Sequence, residues 1–277
     1  MIPQAFITAW SRRAPWPTDT QIEQDLVLSR LMVEVANDDL LGNELAMRGG
    51  TCLHKLHLPV PYRYSEDLDY VRRTRSGVGP YLQALRSIAT SIGLREHSYD
   101  KTSQMVHMVF DADPTSGVGR IRVKIETNVV EVEGLRERVT RPYSVESSWW
   151  TGHADIATYG IEELMGTKLR ALYQRRKGRD LFDLWLVLTT LQPDETLIVE
   201  ALRHYMHQDV FGFANLATNL AEKLDNREFR EDLAQLVVNV PAEYEPDVAA
   251  NMVMEHLGAR LNGAPEAGAI RGGAWRR

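Results

Sequence analysis

Gly49-Gly50-Thr51 stands fifteen residues ahead of Glu66-Asp67-Leu68-Asp69. Such a glycine pair makes a tight turn in which the backbone can approach another group closely. The later stretch reads as a strand, where side chains alternate with period two, so Asp67 and Asp69 share one face. Two carboxylates held that close make sense around a cation, and together the two segments point to phosphoryl chemistry.

The flanking pattern supplies strand, helix, strand. Leu45 to Arg48 reads as a short strand ended by the glycines, and Thr51 to Leu58 as a short helix. Pro59 and Pro61 then force an extended connection into the strand of the two acids. Upstream, apolar residues from Thr20 to Leu41 recur at helical spacing, with Asp19 or Thr20 as cap. Downstream, Pro80 to Ile92 reads as a helix stopped by Gly93, Met105 to Phe110 as a strand, and Gly119 to Val130 as a cleaner one. In that last strand Ile121, Val123 and Ile125 alternate with Arg122, Lys124 and Glu126, which puts Glu126 on the polar face.

Beyond about residue 145 the period changes to that of helices. Ile161, Leu164, Met165, Leu169 and Leu172 fall on one helical face, and a second stripe follows a break at Gly178. Further helices are expected over Asp194–Met206, Ala214–Leu224, Arg227–Val238 and Pro246–Leu261. The expected fold is therefore α+β: a mixed sheet with helices over 1–145, a helical domain over 146–262, and a Gly- and Ala-rich disordered tail over 263–277. Substrate is expected between the two domains.

Composition excludes several classes. With 44% apolar and 25% charged residues in 277, the chain suits an ordinary globular protein. One cysteine, Cys52, permits no internal disulfide framework, and no apolar run approaches the roughly 18 to 20 residues that span a bilayer. No secretion signal is evident at the amino terminus, so the expected location is cytoplasmic and no membrane partner is expected. The net charge of −6 argues against indiscriminate nucleic-acid binding but leaves room for local basic patches. Candidates are Arg72, Arg73 and Arg75, and the group Arg170, Arg175, Arg176, Lys177 and Arg179, each of which can equally be a solvated face.

A nucleoside triphosphate carries about four negative charges, so Asp67 and Asp69 can engage it only as ligands of Mg2+ ions. Glu126 is the candidate third carboxylate of a two-ion arrangement, or else an exposed residue paired with Arg122 or Lys124. Gly49 and Gly50 allow close approach to phosphate, Thr51 can add a hydroxyl, and Ser65 joins the face of Asp67 if the strand begins that early. In the later block Lys168 can neutralise triphosphate charge; Asp183 can orient Lys168 or Arg179, or act as base. The bland alternative is ion pairing within the helices. His54 with His57 reads as helix surface, and Trp149 with Trp150 as hinge packing or a stacking platform.

Gly49-Gly50-Thr51, Ser65-Glu66-Asp67-Leu68-Asp69 and the Lys168 to Asp183 block resemble the AbiEii/AbiGii nucleotidyltransferase toxins, which include the mycobacterial MenT toxins. The resemblance spans most of residues 45 to 190; Gly50 stands where many nucleotidyltransferases carry Ser. It implies a polymerase-β-like fold and Mg2+-dependent transfer of a nucleotide from a triphosphate, in several relatives to the 3′ end of tRNA, which stops translation and growth. It also implies phage defence and a cognate AbiEi-like antitoxin. By the same resemblance Asp67 and Asp69 are the metal-binding pair and Lys168 and Asp183 the later essential residues; the residues expected to contact the triphosphate are Gly49, Gly50, Thr51, Ser65, Lys168 and Arg179. Two alternatives remain open: nucleotidylation of a protein, and a nucleotide-binding module without catalysis.

Overall fold

The computed structural model describes residues 2–206, 212–237 and 240–262; the expected tail over 263–277 lies outside them. The chain divides into two compact units, one running to Tyr159 and including Leu236 and Val237, the other beginning at Gly160.

The first unit is a seven-stranded mixed sheet with helices. Its elements are α1 (Gln4–Trp10), α2 (Asp19–Asn37), α3 (Leu41–Glu44), β1 (Leu45–Arg48), α4 (Gly49–Cys52) running into a π-helical turn (Leu53–His57), β2 (Asp67–Arg72), α5 (Gly79–Ser91), β3 (Arg95–Lys101), β4 (Met105–Ala112), β5 (Ile121–Asn128), β6 (Val139–Glu146) and β7 (Thr151–Thr158). Strand order is β3-β4-β5-β2-β1-β7-β6. The β2–β5 and β1–β7 pairs are parallel and the rest antiparallel. The two strands bearing the sequence motifs, β1 and β2, thus lie near the middle, where neighbours on both sides fix them.

Thr18 caps α2: its hydroxyl accepts from the Gln21 amide, while the Gln21 side chain accepts from the Thr18 amide. The helix turns Leu26, Leu28, Leu31 and Met32 into the core and packs on β5, β6 and β7. On β5, Ile121, Val123 and Ile125 are buried, whereas Arg122 is exposed and Lys124 and Glu126 are half-buried, as the alternation predicts.

A buried carboxylate ties the amino terminus to the segment after the glycine turn. Asp25 accepts hydrogen bonds from Trp10 Nε1 at 2.9 Å and Trp16 Nε1 at 3.0 Å, and both its oxygens accept from Lys55 Nζ at 2.9 and 2.8 Å. Burial opposes the Lys55 charge, but Asp25 and Tyr143 more than offset it and raise its pKa. Charge is tolerated inside because it is fully paired.

The hairpin β6–β7 was not anticipated from sequence, and the expected boundary after residue 145 falls within β6. The first unit closes only after β7 has paired with β1.

The second unit is helical: α6 (Ile161–Gln174), α7 (Gly178–Thr190), α8 (Glu195–Met206), α9 (Phe213–Leu224), α10 (Arg227–Glu231), α11 (Pro246–His256) and a 3-10 turn (Gly258–Asn262). A Cβ on Gly166 would sit 2.8 Å from the Leu202 amide nitrogen and 2.9 Å from the Ile198 carbonyl, so this glycine is what lets α6 and α8 approach so closely. Lys223 donates to the carbonyls of Leu172 and Tyr173 at the end of α6. Burial pushes its pKa down to about 8. The helix expected over Arg227–Val238 ends at Glu231 and gives way to turns, and Val238 lies outside the described residues. The one expected over Pro246–Leu261 is broken at Leu257.

Candidate active site

On β2 Asp67 and Asp69 are half-buried while Leu68 and Tyr70 between and beyond them are buried, so both carboxylates lie on the face opposite the core. Register places Asp69 between Arg48 of β1 and Glu126 of β5, and sets Asp67 beside Lys124. Three acids expected to act together therefore share one sheet face on adjacent strands.

The glycine turn closes directly over this pair. Gly49 has φ +81°, a left-handed conformation that disfavours any side chain, and a Cβ there would overlap the carboxylate of Asp69. A Cβ on Gly50 would crowd the Arg63 guanidinium and stand 2.9 Å from Ser65 Oγ. Ser65 precedes β2, which begins at Asp67, yet it still borders the glycine turn. Thr51 behaves differently from the expectation. Its hydroxyl donates to the Asp67 carbonyl at 2.6 Å and the residue is 1% exposed, so it anchors the turn to β2 and does not present a hydroxyl outward.

Glu126 has both features foreseen as alternatives. It is level with Asp69, and its Oε1 is paired with Lys124 Nζ at 2.5 Å, while His107 Nδ1 stands 2.9 Å away without a hydrogen bond. Burial alone would raise its pKa, but the hydrogen bond and charge of Lys124, then His107 and Asp69, bring it below the usual carboxylate value. Lys124 responds in kind: burial works against its charge, while Glu126, Asp67 and Asp69 push its pKa up. The donor set is all carboxylate, the chemistry that suits a hard cation such as Mg2+. Among the described residues, no three His, Cys, Asp or Glu side chains are gathered closely enough to hold a metal unaided.

The second predicted cluster lies in the helical unit. Lys168 on α6 is 7% exposed and its ammonium pairs with Asp180 Oδ1 at 3.2 Å and Asp183 Oδ2 at 3.0 Å on α7. Arg175 adds a forked pair to Asp180 at 2.7 and 2.8 Å. Burial would raise the Asp180 pKa; Lys168 and Arg175 reverse the sign and lower it. Asp183 thus pairs with Lys168. Arg179 faces Asp232, which accepts from the Arg179 amide at 3.1 Å and stands 3.7 Å from its guanidinium.

The remaining candidates take structural places. Arg72 is 2% exposed and bonded to Glu44 and Ser76, so it is no surface contact for phosphate, whereas Arg73 and Arg75 are exposed. His54 is buried and accepts from the Tyr62 amide, and His57 is half-buried, so neither is helix surface. Trp149 and Trp150 both receive the Arg30 guanidinium on their rings, at 5.0 and 5.2 Å, within the first unit. Burial pushes the Cys52 thiol up to about 12, with the Thr158 hydroxyl opposing, so it is an inert core residue. Two residues were missed as site members. Arg63, buried against the glycine turn, lies two positions before Ser65; Lys124 lies two before Glu126 on the same polar stripe, which was the available signal.

Residues 30–254 match the family model described as nucleotidyl transferase AbiEii toxin, Type IV TA system. MenT4, a nucleotidyltransferase toxin from Mycobacterium tuberculosis H37Rv, superposes with a TM-score of 0.60 at 16% identity, covering 96% of this chain and 91% of its own. JHP933 from Helicobacter pylori gives 0.55 at 14% identity, covering 88% and 94%. No curated protein matches by sequence. At such identities the two structures speak for the fold, while the sequence model spans most of the chain and speaks for descent: the chain belongs to the AbiEii nucleotidyltransferase toxin family.

Proposed function

We propose that this protein is a Mg2+-dependent toxin that transfers a nucleoside monophosphate from a triphosphate to the 3′ end of tRNA, releasing pyrophosphate and blocking translation, until a cognate AbiEi-like antitoxin counteracts it. The observation that carries this is the placement of Asp67 and Asp69 on one face of β2, beneath Gly49 and level with Lys124 and Glu126. Asp67 and Asp69 would hold the divalent cation, which when bound neutralises triphosphate charge and favours ionisation of the attacking hydroxyl.

Gly49 and Gly50 offer backbone without side chains to the triphosphate, Ser65 a hydroxyl, and Arg63 a fixed positive charge at the same turn. In the second unit Lys168, held by Asp183, and Arg179 are the residues proposed to serve the nucleotide there. Because Lys168 is already paired with two carboxylates, its charge is oriented before any ligand arrives.

The test is incubation of the purified protein with each labelled nucleoside triphosphate, Mg2+ and total cellular RNA or protein. Label at the 3′ end of tRNA, lost in Asp67→Ala and Asp69→Ala, is the expected result. Label in the protein fraction alone would replace the acceptor with a polypeptide. No label with any triphosphate would favour a binding module without catalysis.

A further inference from the structure

Glu23, Val27 and Arg30 fall on one stripe of α2, at i, i+4 and i+7, and border a cavity of about 290 Å3. Its other walls include Ile92 and Leu94 from the turn between α5 and β3, and the register partners Ala112 of β4 and Ile121 of β5. Ile121 points to the face of β5 opposite Lys124 and Glu126. The cavity therefore lies on the far side of the sheet from Asp67 and Asp69.

The stripe carries opposite charges at its two ends. Glu23 is 2% exposed, and its oxygens accept from the Thr115 amide at 2.8 Å and the Thr115 hydroxyl at 3.1 Å. Both donors are neutral, and among the described residues no cation pairs with this carboxylate. A carboxylate withdrawn from water is costly without a counter-ion, and the open space beside Glu23 is where one can enter. Arg30 is committed elsewhere: its Nε donates to Glu34 at 2.9 Å, and its guanidinium lies over the rings of Trp149 and Trp150. The two terminal nitrogens of that guanidinium have no hydrogen-bond partner among the described residues. A fork of donors fixed in this way suits a carboxylate.

Seven helical residues set the two positions about 10.5 Å apart along the axis, and Val27 gives the interval an apolar floor. A single amino acid holds its charges too close together to meet both ends. An extended dipeptide reaches about 7 Å before a hydrogen bond is added at either end. We propose that this cavity binds a short zwitterion of the dipeptide class, with its ammonium against Glu23 and its carboxylate on Arg30. None of these residues belongs to the face of the acidic pair, so the site is independent of the nucleotidyltransferase reading.

Leucyl-leucine serves as the probe, titrated calorimetrically into the full chain. It should bind with a dissociation constant of about 1 mM or tighter. N-acetylation, which removes the ammonium, and amidation, which removes the carboxylate, should each weaken binding by about tenfold or more, and leucine alone should lose at least as much. Glu23→Gln, which keeps an acceptor for Thr115, should abolish the preference for the free over the acetylated peptide. Arg30→Met should abolish the preference for the free acid over the amide. Asp67→Ala should bind the peptide as the wild type does, and thermal melts establish that each variant is folded. The proposal is overturned if leucyl-leucine does not bind, if the capped peptides bind the wild type equally well, or if both discriminations survive in the variants. The capped peptides test the wild type directly, so they decide the matter even where a variant fails to fold.

Discussion

Gly49 and His57 show how much a single position can decide. At Gly49 a side chain would have to adopt φ +81° and would meet the Asp69 carboxylate, so Gly49→Ala carries two penalties. The backbone strain costs about 1–2 kcal/mol, read in a denaturant melt. The displacement of Asp69 should cut nucleotide transfer by at least about a hundredfold, because a shift of about 1 Å at a reacting group can cost that much. A variant with normal transfer would separate the turn from the acidic pair. His57 reports on pH. Burial, helped by Arg141, lowers its pKa to about 4. The unfolded chain therefore binds this proton more readily between about 6.5 and 4, and the contribution is present above that window and lost as pH falls through it. The expected loss is on the order of 2 kcal/mol between pH 7 and pH 4, and His57→Gln should flatten that part of the stability profile. The sequence showed Asp67, Asp69, Gly49 and Gly50 because their spacing follows backbone geometry. It hid the burial of Arg72 and His54, since a charged or titratable side chain reads as surface until its partner is known.

At the level of elements, the pair α6 and α7 is held by a charge clamp. Lys168, Asp180 and Asp183 are all buried, so removing the lysine takes away a buried cation shared by both carboxylates, although Asp180 keeps its forked pair from Arg175. Lys168→Met should destabilise the protein by about 3 kcal/mol, measured by urea unfolding. Lost transfer in that variant is informative only at a temperature where it is folded. A variant as stable as the wild type would show that the pairs contribute nothing net. Elements differed in legibility for physical reasons. The strand β5 and the helices α5 and α6 bury mainly one face, which imprints a period on the sequence, whereas β1, α2 and α7 are buried at consecutive positions and show instead as apolar-rich runs. β3 is an edge strand exposed along its whole length, so no apolar alternation marks it. β6, at the opposite edge, contains Pro142, a residue that argues against a strand unless the strand lies at an edge. α1 has seven residues and owes its place to Trp10 bonding Asp25, a contact no local pattern reveals.

Net charge bears on the acceptor at the scale of the whole molecule. At −6 the protein as a whole repels a polyanion, so any RNA acceptor must be held by a few local cations against a general repulsion. Arg72 and Arg175 are spent on Glu44 and Asp180, which leaves Arg73, Arg75 and Arg176 as exposed candidates. About two phosphate contacts to a single-stranded end give a slope near −1.4 in log affinity against log salt. Raising monovalent salt from about 50 to about 200 mM should therefore weaken tRNA binding by only about sevenfold, far less than a basic nucleic-acid-binding protein loses over the same range. Arg73→Ala or Arg75→Ala should each weaken binding at low salt and make the slope shallower by about 0.7, while leaving the melting temperature unchanged. These slopes follow from fluorescence-anisotropy titrations of labelled tRNA at several salt concentrations. A slope several times steeper would require a basic surface larger than these arginines provide. A slope of zero would mean that phosphates do not hold the acceptor, and recognition would then have to rest on bases or on a polypeptide.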